Sequence, residues 1–146
     1  MDRKSYVLAV LSASDGFGLN PVQAQKLFFL LDRKAAHLLS GPHFNFEPEG
    51  CGPFDKAIAS DLRELEREGD VEIEIAPRIL LTKKYRPSER GLQRGRELLK
   101  LLSGEAQNYV RDLSAWVRGQ DFTSLVTAIY HEYPEMAVNG VFRDRP

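Results

Sequence analysis

The stretch that decides the fold runs from Pro53 to Ile75, PFDKAIASDLRELEREGDVEIEI. In its first part Phe54, Ile58, Leu62 and Leu65 recur at intervals of 4, 4 and 3, which is one apolar stripe of a helix. Gly69 fits the position just past that helix's end. The period then drops to 2: Val71, Ile73 and Ile75 alternate with Glu72 and Glu74, the pattern of a half-buried strand. Ala76-Pro77-Arg78 reads as a turn, Ile79 to Arg86 as a returning strand, and Pro87 as its end. The segment therefore predicts a helix opened by Pro53 and followed directly by a β-hairpin.

Upstream, residues 3–14 carry Tyr6, Val7, Val10 and Leu11 at helical spacing, and Asp15-Gly16-Phe17-Gly18 breaks that helix. Asn20 caps a second helix with Pro21 at its first position, predicted to run to about Ser40 before Gly41-Pro42. Its middle, Leu27-Phe28-Phe29-Leu30-Leu31, is apolar nearly all round, as in a central buried helix. Residues 43–52 read as a loop or short extended piece, with Phe44 and Phe46 turned inward. Downstream, Ser88 caps a helix to about Leu102. Residues 104–118 put Tyr109, Leu113, Trp116 and Val117 on one face, and residues 121–133 put Phe122, Leu125, Val126, Ile129 and Tyr133 on another. The last dozen residues read as a tail. The expected fold is mainly α with a small β-hairpin, an α+β winged helix-turn-helix with a C-terminal helical extension. Residues 1–87 would form its core, and residues 88–146 would add helices packed on that core in one domain. The third helix stands where a recognition helix would, and the hairpin is the wing.

The chain has 146 residues, 42% hydrophobic and 28% charged, the balance of a folded domain rather than a disordered chain. No apolar run approaches the roughly 18 residues needed to span a bilayer, and the charged start MDRK followed by helical spacing argues against a signal peptide. A single cysteine, Cys51, excludes an internal disulfide framework and a multi-thiolate metal site, and a cytoplasmic location is expected. The net charge of −1 conceals two blocks. Residues 43–75 carry 3 basic and 10 acidic groups, whereas residues 76–100 carry 8 basic and 2 acidic. Such blocks either neutralise each other in the fold or leave a charged surface for a partner.

Gln25-Lys26-Leu27-Phe28-Phe29-Leu30-Leu31, then Gly52-Pro53-Phe54, then Asp61-Leu62 and Leu65 through Gly69, resemble the YwgA-like proteins in order and spacing. More distantly they resemble the Panacea, or SocA-like, antitoxin domains. Ser88-Glu89-Arg90-Gly91 stands where those families commonly show Leu-Thr-x-x-Gly, and Tyr130 through Glu135 is similar to the YwgA-like ending. The likeness extends from the second helix to Glu135. Cys51, Gln23 and Ser88-Glu89 depart from the usual residues. The resemblance implies a winged-helix scaffold with a regulatory or neutralising role and supplies no catalytic residues.

On the third helix, Lys56, Ser60, Arg63 and Arg67 fall opposite the apolar stripe at intervals of 4, 3 and 4, with Asp55, Glu64, Glu66 and Glu68 on the flanks. Long donors on a helix face suit guanine edges or phosphates. Arg78 at the wing tip, Lys83, Lys84 and Arg86 on the returning strand, and Arg90 and Arg94 on the next helix form a second basic element. The expected partner is duplex DNA, bound by these ten residues. The alternative is a partner protein engaged by an antitoxin-type module, favoured by the acidic neighbours Glu47, Glu49, Glu72 and Glu74.

Asp61, at the stripe's edge, needs a partner, for which Lys26 is the candidate. Gly50-Cys51-Gly52-Pro53 reads as a turn into a helix N-terminus, a place where backbone N–H groups can meet an anion and a thiol pKa can fall. Glu47 and Glu49 make chain reversal the simpler reading. His37, His43 and His131 lack ligand spacing, and there is no nucleophile–base order, phosphate-binding lysine loop or carboxylate pair. A non-catalytic protein without metal or cofactor is expected. Trp116 and Tyr109 are candidates for core packing or for a homodimer contact.

Overall fold

The Asp2 carboxylate accepts the Ser5 N–H and opens the first helix, α1 (Arg3–Ser12). The computed structural model describes residues 1–76 and 82–137. Tyr6 through Ser12 are all buried, so α1 is a central helix rather than a surface one. The second, α2 (Pro21–Lys34), is equally enclosed from Ala24 to Asp32. It starts on a capping box: Asn20 Oδ1 accepts the Gln23 N–H at 2.8 Å and Gln23 Oε1 accepts the Asn20 N–H at 2.9 Å. It does not run on to Ser40. At Ala35 φ is −134°, and a separate turn of helix, α3 (Ala36–Leu39), follows.

The next segment departs from expectation. Glu47–Glu49 (β1) and Gly52–Phe54 (β2) form a small antiparallel hairpin, with Pro48 opposite Pro53. Pro53 therefore lies in a strand and opens no helix. Asp55 is the cap instead, accepting the Ala57 N–H at 2.8 Å, and α4 spans Lys56–Arg67. Ile58, Leu62 and Leu65 are buried as the spacing requires, whereas Phe54, now on the strand, is exposed. Cys51 sits in the hairpin's turn rather than at the start of the helix that follows it.

The second hairpin is β3 (Val71–Ala76) with β4 (Thr82–Pro87), in register Val71↔Pro87 through Ala76↔Thr82. Ala76, expected in the turn, is the last residue of β3, and Pro87 lies within β4; the expected turn residues Pro77 and Arg78, and Ile79 at the expected start of the returning strand, lie outside the described residues. Val71 is buried and Ile73 half-buried, but Ile75, where the alternation predicts burial, is 61% exposed. Leu19 adds a rung to the hairpin: its N–H reaches Tyr85 O at 2.8 Å, and the Tyr85 N–H reaches Leu19 O at 2.7 Å. Gly18 makes this approach possible. Its φ is +76°, and a Cβ there would lie 2.6 Å from Tyr85 O.

The C-terminal helices are α5 (Glu89–Leu99), α6 (Gly104–Arg118) and α7 (Phe122–Glu132), followed by a 3₁₀ turn at Pro134–Ala137. α5 lies against α1, while α6 and α7 pack on α2. α5 approaches its neighbours closely. A Cβ on Gly91 would lie 1.8 Å from Asp70 O, just ahead of β3, and one on Gly95 would lie 1.8 Å from Ser12 Oγ of α1. On α6 the enclosed positions are Ala106, Val110, Ser114 and Val117, with Tyr109 at their side and Trp116 41% exposed. Leu125, Val126, Ile129 and Tyr130 of α7 are buried, and Phe122 is exposed. The whole is a mainly helical α+β structure with two small antiparallel hairpins.

Candidate functional site

The outward face of α4 carries Lys56, Ser60, Arg63 and Arg67, all exposed as expected from their spacing. Arg67 is held by Glu64 one turn away at 3.1 Å. Asp61 is also satisfied, but not by Lys26. Arg3 grips it with two bonds, Nε to Oδ2 at 2.7 Å and Nη2 to Oδ1 at 3.1 Å. The reason is geometric: α4 packs on α1, which brings Arg3 to Asp61, whereas Lys26 is directed at β2.

On the hairpin, Lys84 is exposed, and Lys83 places its ammonium 5.9 Å from the Tyr85 ring centre. Arg86 reaches across the ladder to Glu72 at 3.3 Å and Glu74 at 3.5 Å. Behind the hairpin, Arg90 and Arg94 of α5 converge on Asp70, one on each carboxylate oxygen. Asp70 is 0% exposed, while both arginines keep part of their surface in water. The acidic block of the sequence thus holds arginines of the basic block. Of the ten candidate residues, Arg78 lies outside the described residues, and Arg67, Arg86, Arg90 and Arg94 are ion-paired. Lys56, Arg63 and Lys84 are exposed without a carboxylate partner among the described residues.

A second constellation joins two stretches far apart in sequence. The Gln25 side-chain amide pairs with the Asp55 backbone in both directions, Nε2 to Asp55 O at 3.0 Å and Asp55 N to Oε1 at 2.9 Å. Next to it, Lys26 Nζ donates to Pro53 O at 3.4 Å. The Asp55 carboxylate also accepts the Asn45 N–H at 2.7 Å. So Gln25-Lys26 of α2 clasps Gly52 through Asp55, fixing the β1–β2 hairpin and the start of α4. Lys26 is 4% exposed. Burial pulls its pKa down to about 8, opposed in part by the negative potential of Cys51. Beside it opens a cleft of about 220 Å³ lined by Pro21, Val22, Gln25, Cys51, Gly52 and Phe54, with Glu49 also contributing. Sequence reasoning missed this junction, although a lysine in an otherwise apolar helix was the available signal.

A third buried charge, Asp32, receives the backbone N–H groups of His43 at 3.0 Å and Phe44 at 2.9 Å. Burial raises its pKa, and those two bonds oppose the rise. The His43 ring stacks on Tyr6 with centroids 4.0 Å apart, and Phe44 packs edge-on against Phe28. Asp32 is therefore a clamp for the loop after α3, which turns Phe44 inward as its alternation predicts. No group of three or more His, Cys, Asp or Glu among the described residues is placed to hold a metal ion, and no described helix is long and apolar enough to cross a membrane. Comparison with protein-family models, with curated proteins and with solved structures finds no match to this chain, so the likeness to YwgA-like and Panacea domains rests on the motifs themselves.

Proposed function

We propose that this protein is a non-catalytic regulatory module that docks onto a partner protein in the manner implied by the likeness to antitoxin domains. The observation that carries this reading is the internal pairing of the basic surface: Arg67, Arg86, Arg90 and Arg94 are all engaged by the protein's own carboxylates. Affinity for duplex DNA comes largely from cations that replace counterions at phosphates. Here a phosphate would have to displace Glu64, Glu72, Glu74 or Asp70, three of them exposed carboxylates that repel it. A mixed-charge face with Ile75 protruding suits a protein surface better.

A winged-helix scaffold is part of the proposal. The order of helices and hairpin, and the rung that Leu19 adds to the hairpin between α1 and α2, support it. The 21 residues from Ala35 to Asp55, with α3 and the first hairpin among them, replace the tight turn of about 3–4 residues that sets a recognition helix into a groove. Duplex DNA is the second reading, favoured by Lys56, Arg63 and Lys84, which are exposed and have no carboxylate partner among the described residues.

Fluorescence anisotropy with random duplex DNA at about 50 and 200 mM salt separates the two. The expected result is no saturable binding even at the lower salt. In parallel, tagged protein from its native cell should retain a protein partner through nuclease treatment. The doubly substituted Arg63→Glu, Ile75→Lys variant should lose that partner while melting at an unchanged temperature. Micromolar DNA binding that weakens steeply with salt would overturn the proposal and establish the second reading.

A further inference from the structure

The Lys26 cleft has a chemistry that the docking surface does not use. Its walls Pro21, Val22 and Phe54 are apolar, and Gly52 contributes no side chain to it. A Cβ on Gly52, whose φ is +117°, would stand 3.5 Å from Lys26 Nζ and 3.4 Å from the Tyr130 ring. The lysine amine has three donors when protonated. The structure gives it one acceptor, the Pro53 carbonyl at 3.4 Å, and no carboxylate within 4 Å among the described residues. A buried cation left so short of partners is costly unless something neutralises it. The groups around it do not. The nearest titratable ones are the Cys51 thiol and, lining the cleft, the exposed carboxylate of Glu49. The Gln25 amide is committed to Asp55, and Tyr130 Oη donates to Gly50 O at 3.4 Å.

We propose that this cleft binds a short-chain monocarboxylate, with its carboxylate paired to Lys26 Nζ and its acyl chain lying on Pro21, Val22 and Phe54. The occupant is an anion because that is what the buried ammonium lacks. It is apolar behind the headgroup because the walls are apolar, and singly charged because Glu49 opposes a second negative charge. At about 30 Å³ per water-sized group, the volume holds roughly seven such groups, enough for a carboxylate with about four to six carbons.

The test is a ¹H–¹⁵N correlation titration of the full chain with hexanoate, and with hexanamide as its neutral counterpart. Hexanoate should move the amides of Val22, Cys51 and Gly52 saturably, with a Kd of about 1 mM or tighter, and hexanamide should not. Lys26→Met, which places an apolar chain of similar length at the site, should abolish the shifts. Affinity for hexanoate should fall about tenfold per pH unit once the pH exceeds that at which Lys26 gives up its proton. Equal binding of acid and amide, no saturable shift with hexanoate, or full binding by a folded Lys26→Met variant would each overturn the proposal. Should that variant not fold, the acid–amide comparison on the native chain decides alone.

Discussion

At the scale of single residues, the informative side chains are those whose surroundings fix their role. Lys26 is ordinarily charged at neutral pH, and burial favours its neutral form. Its folded pKa of about 8 lies below the unfolded value of 10.5, so the unfolded chain binds more protons between them. Stability linked to this group therefore rises as pH increases from about 8 to 10.5, by at most roughly 3 kcal/mol at 1.36 kcal/mol per pKa unit. Lys26→Met removes the penalty. It should match or exceed the native chain's urea midpoint at pH 7, and the difference should move in the native chain's favour by pH 10. A difference independent of pH would show that Lys26 titrates as it does in the unfolded chain. Asp70 is the opposite case, a carboxylate at 0% exposure that two arginines make tolerable. Asp70→Ala should lower stability by about 1.5–3 kcal/mol, the range for hydrogen bonds to charged groups, as read from urea denaturation.

At the scale of elements, local chemistry and tertiary approach compete, and the outcome differs from place to place. Asn20-Pro21 with Gln23 dictates a helix start from sequence alone, because every bond of the capping box is local. Asn20→Ala should cost about 1 kcal/mol. Gly91 and Gly95 illustrate the reverse. Helix propensity alone predicts that alanine at either would stabilise α5 by about 1 kcal/mol. The approach of α5 to Asp70 and Ser12 reverses that sign, and Gly91→Ala should destabilise by about 2 kcal/mol or more. A raised urea midpoint for Gly91→Ala would mean that the seam yields. The same division explains what could be read in advance. The stripe Ile58–Leu62–Leu65, the strand at Val71 with its inward Val71 and Ile73, and the caps at Asn20 and Ser88 are local patterns, and the structure follows them, whereas Ile75 continues the alternation but is exposed. Phe54 continues that stripe in spacing, which predicts a helical position for it. It belongs to a strand because Gln25, 30 residues away, pairs with the Asp55 backbone and sets the cap there. The ion partners are illegible for the same reason: spacing shows that Asp61 needs a cation, but only packing selects Arg3, and only packing brings Arg90 and Arg94 to Asp70.

At the scale of the whole molecule, the near-zero net charge is the sum of an acidic and a basic block, and the fold pairs part of one with part of the other. Of the ten residues singled out for a nucleic-acid surface, four arginines are spent on ion pairs within α4, across the hairpin and between α5 and Asp70. Those pairs are largely exposed apart from Asp70, and each surface pair contributes about 0–1 kcal/mol. Raising salt to about 1 M should therefore shift the melting temperature little, while weakening any attachment made through Lys56, Arg63 and Lys84. A scanning-calorimetry series in NaCl checks the first point, and the anisotropy measurement checks the second. A large loss of melting temperature in salt would show that the surface network, and not the core around α1 and α2, sets stability.

The burial of α1 has a consequence in time. Its faces are covered by α4, β4, α5 and α6, all of which come later in the chain. At synthesis rates of about 5–20 residues per second, the roughly 90 residues between Ser12 and Leu99 take about 4–18 s to appear. Until α4, β4 and then α5 are made in turn, α1 lacks the native surfaces that cover it. The nascent chain thus depends on whatever shields Tyr6 through Leu11 until α5 arrives, and stalling translation before residue 99 should leave a chain that proteases cut within its first helix.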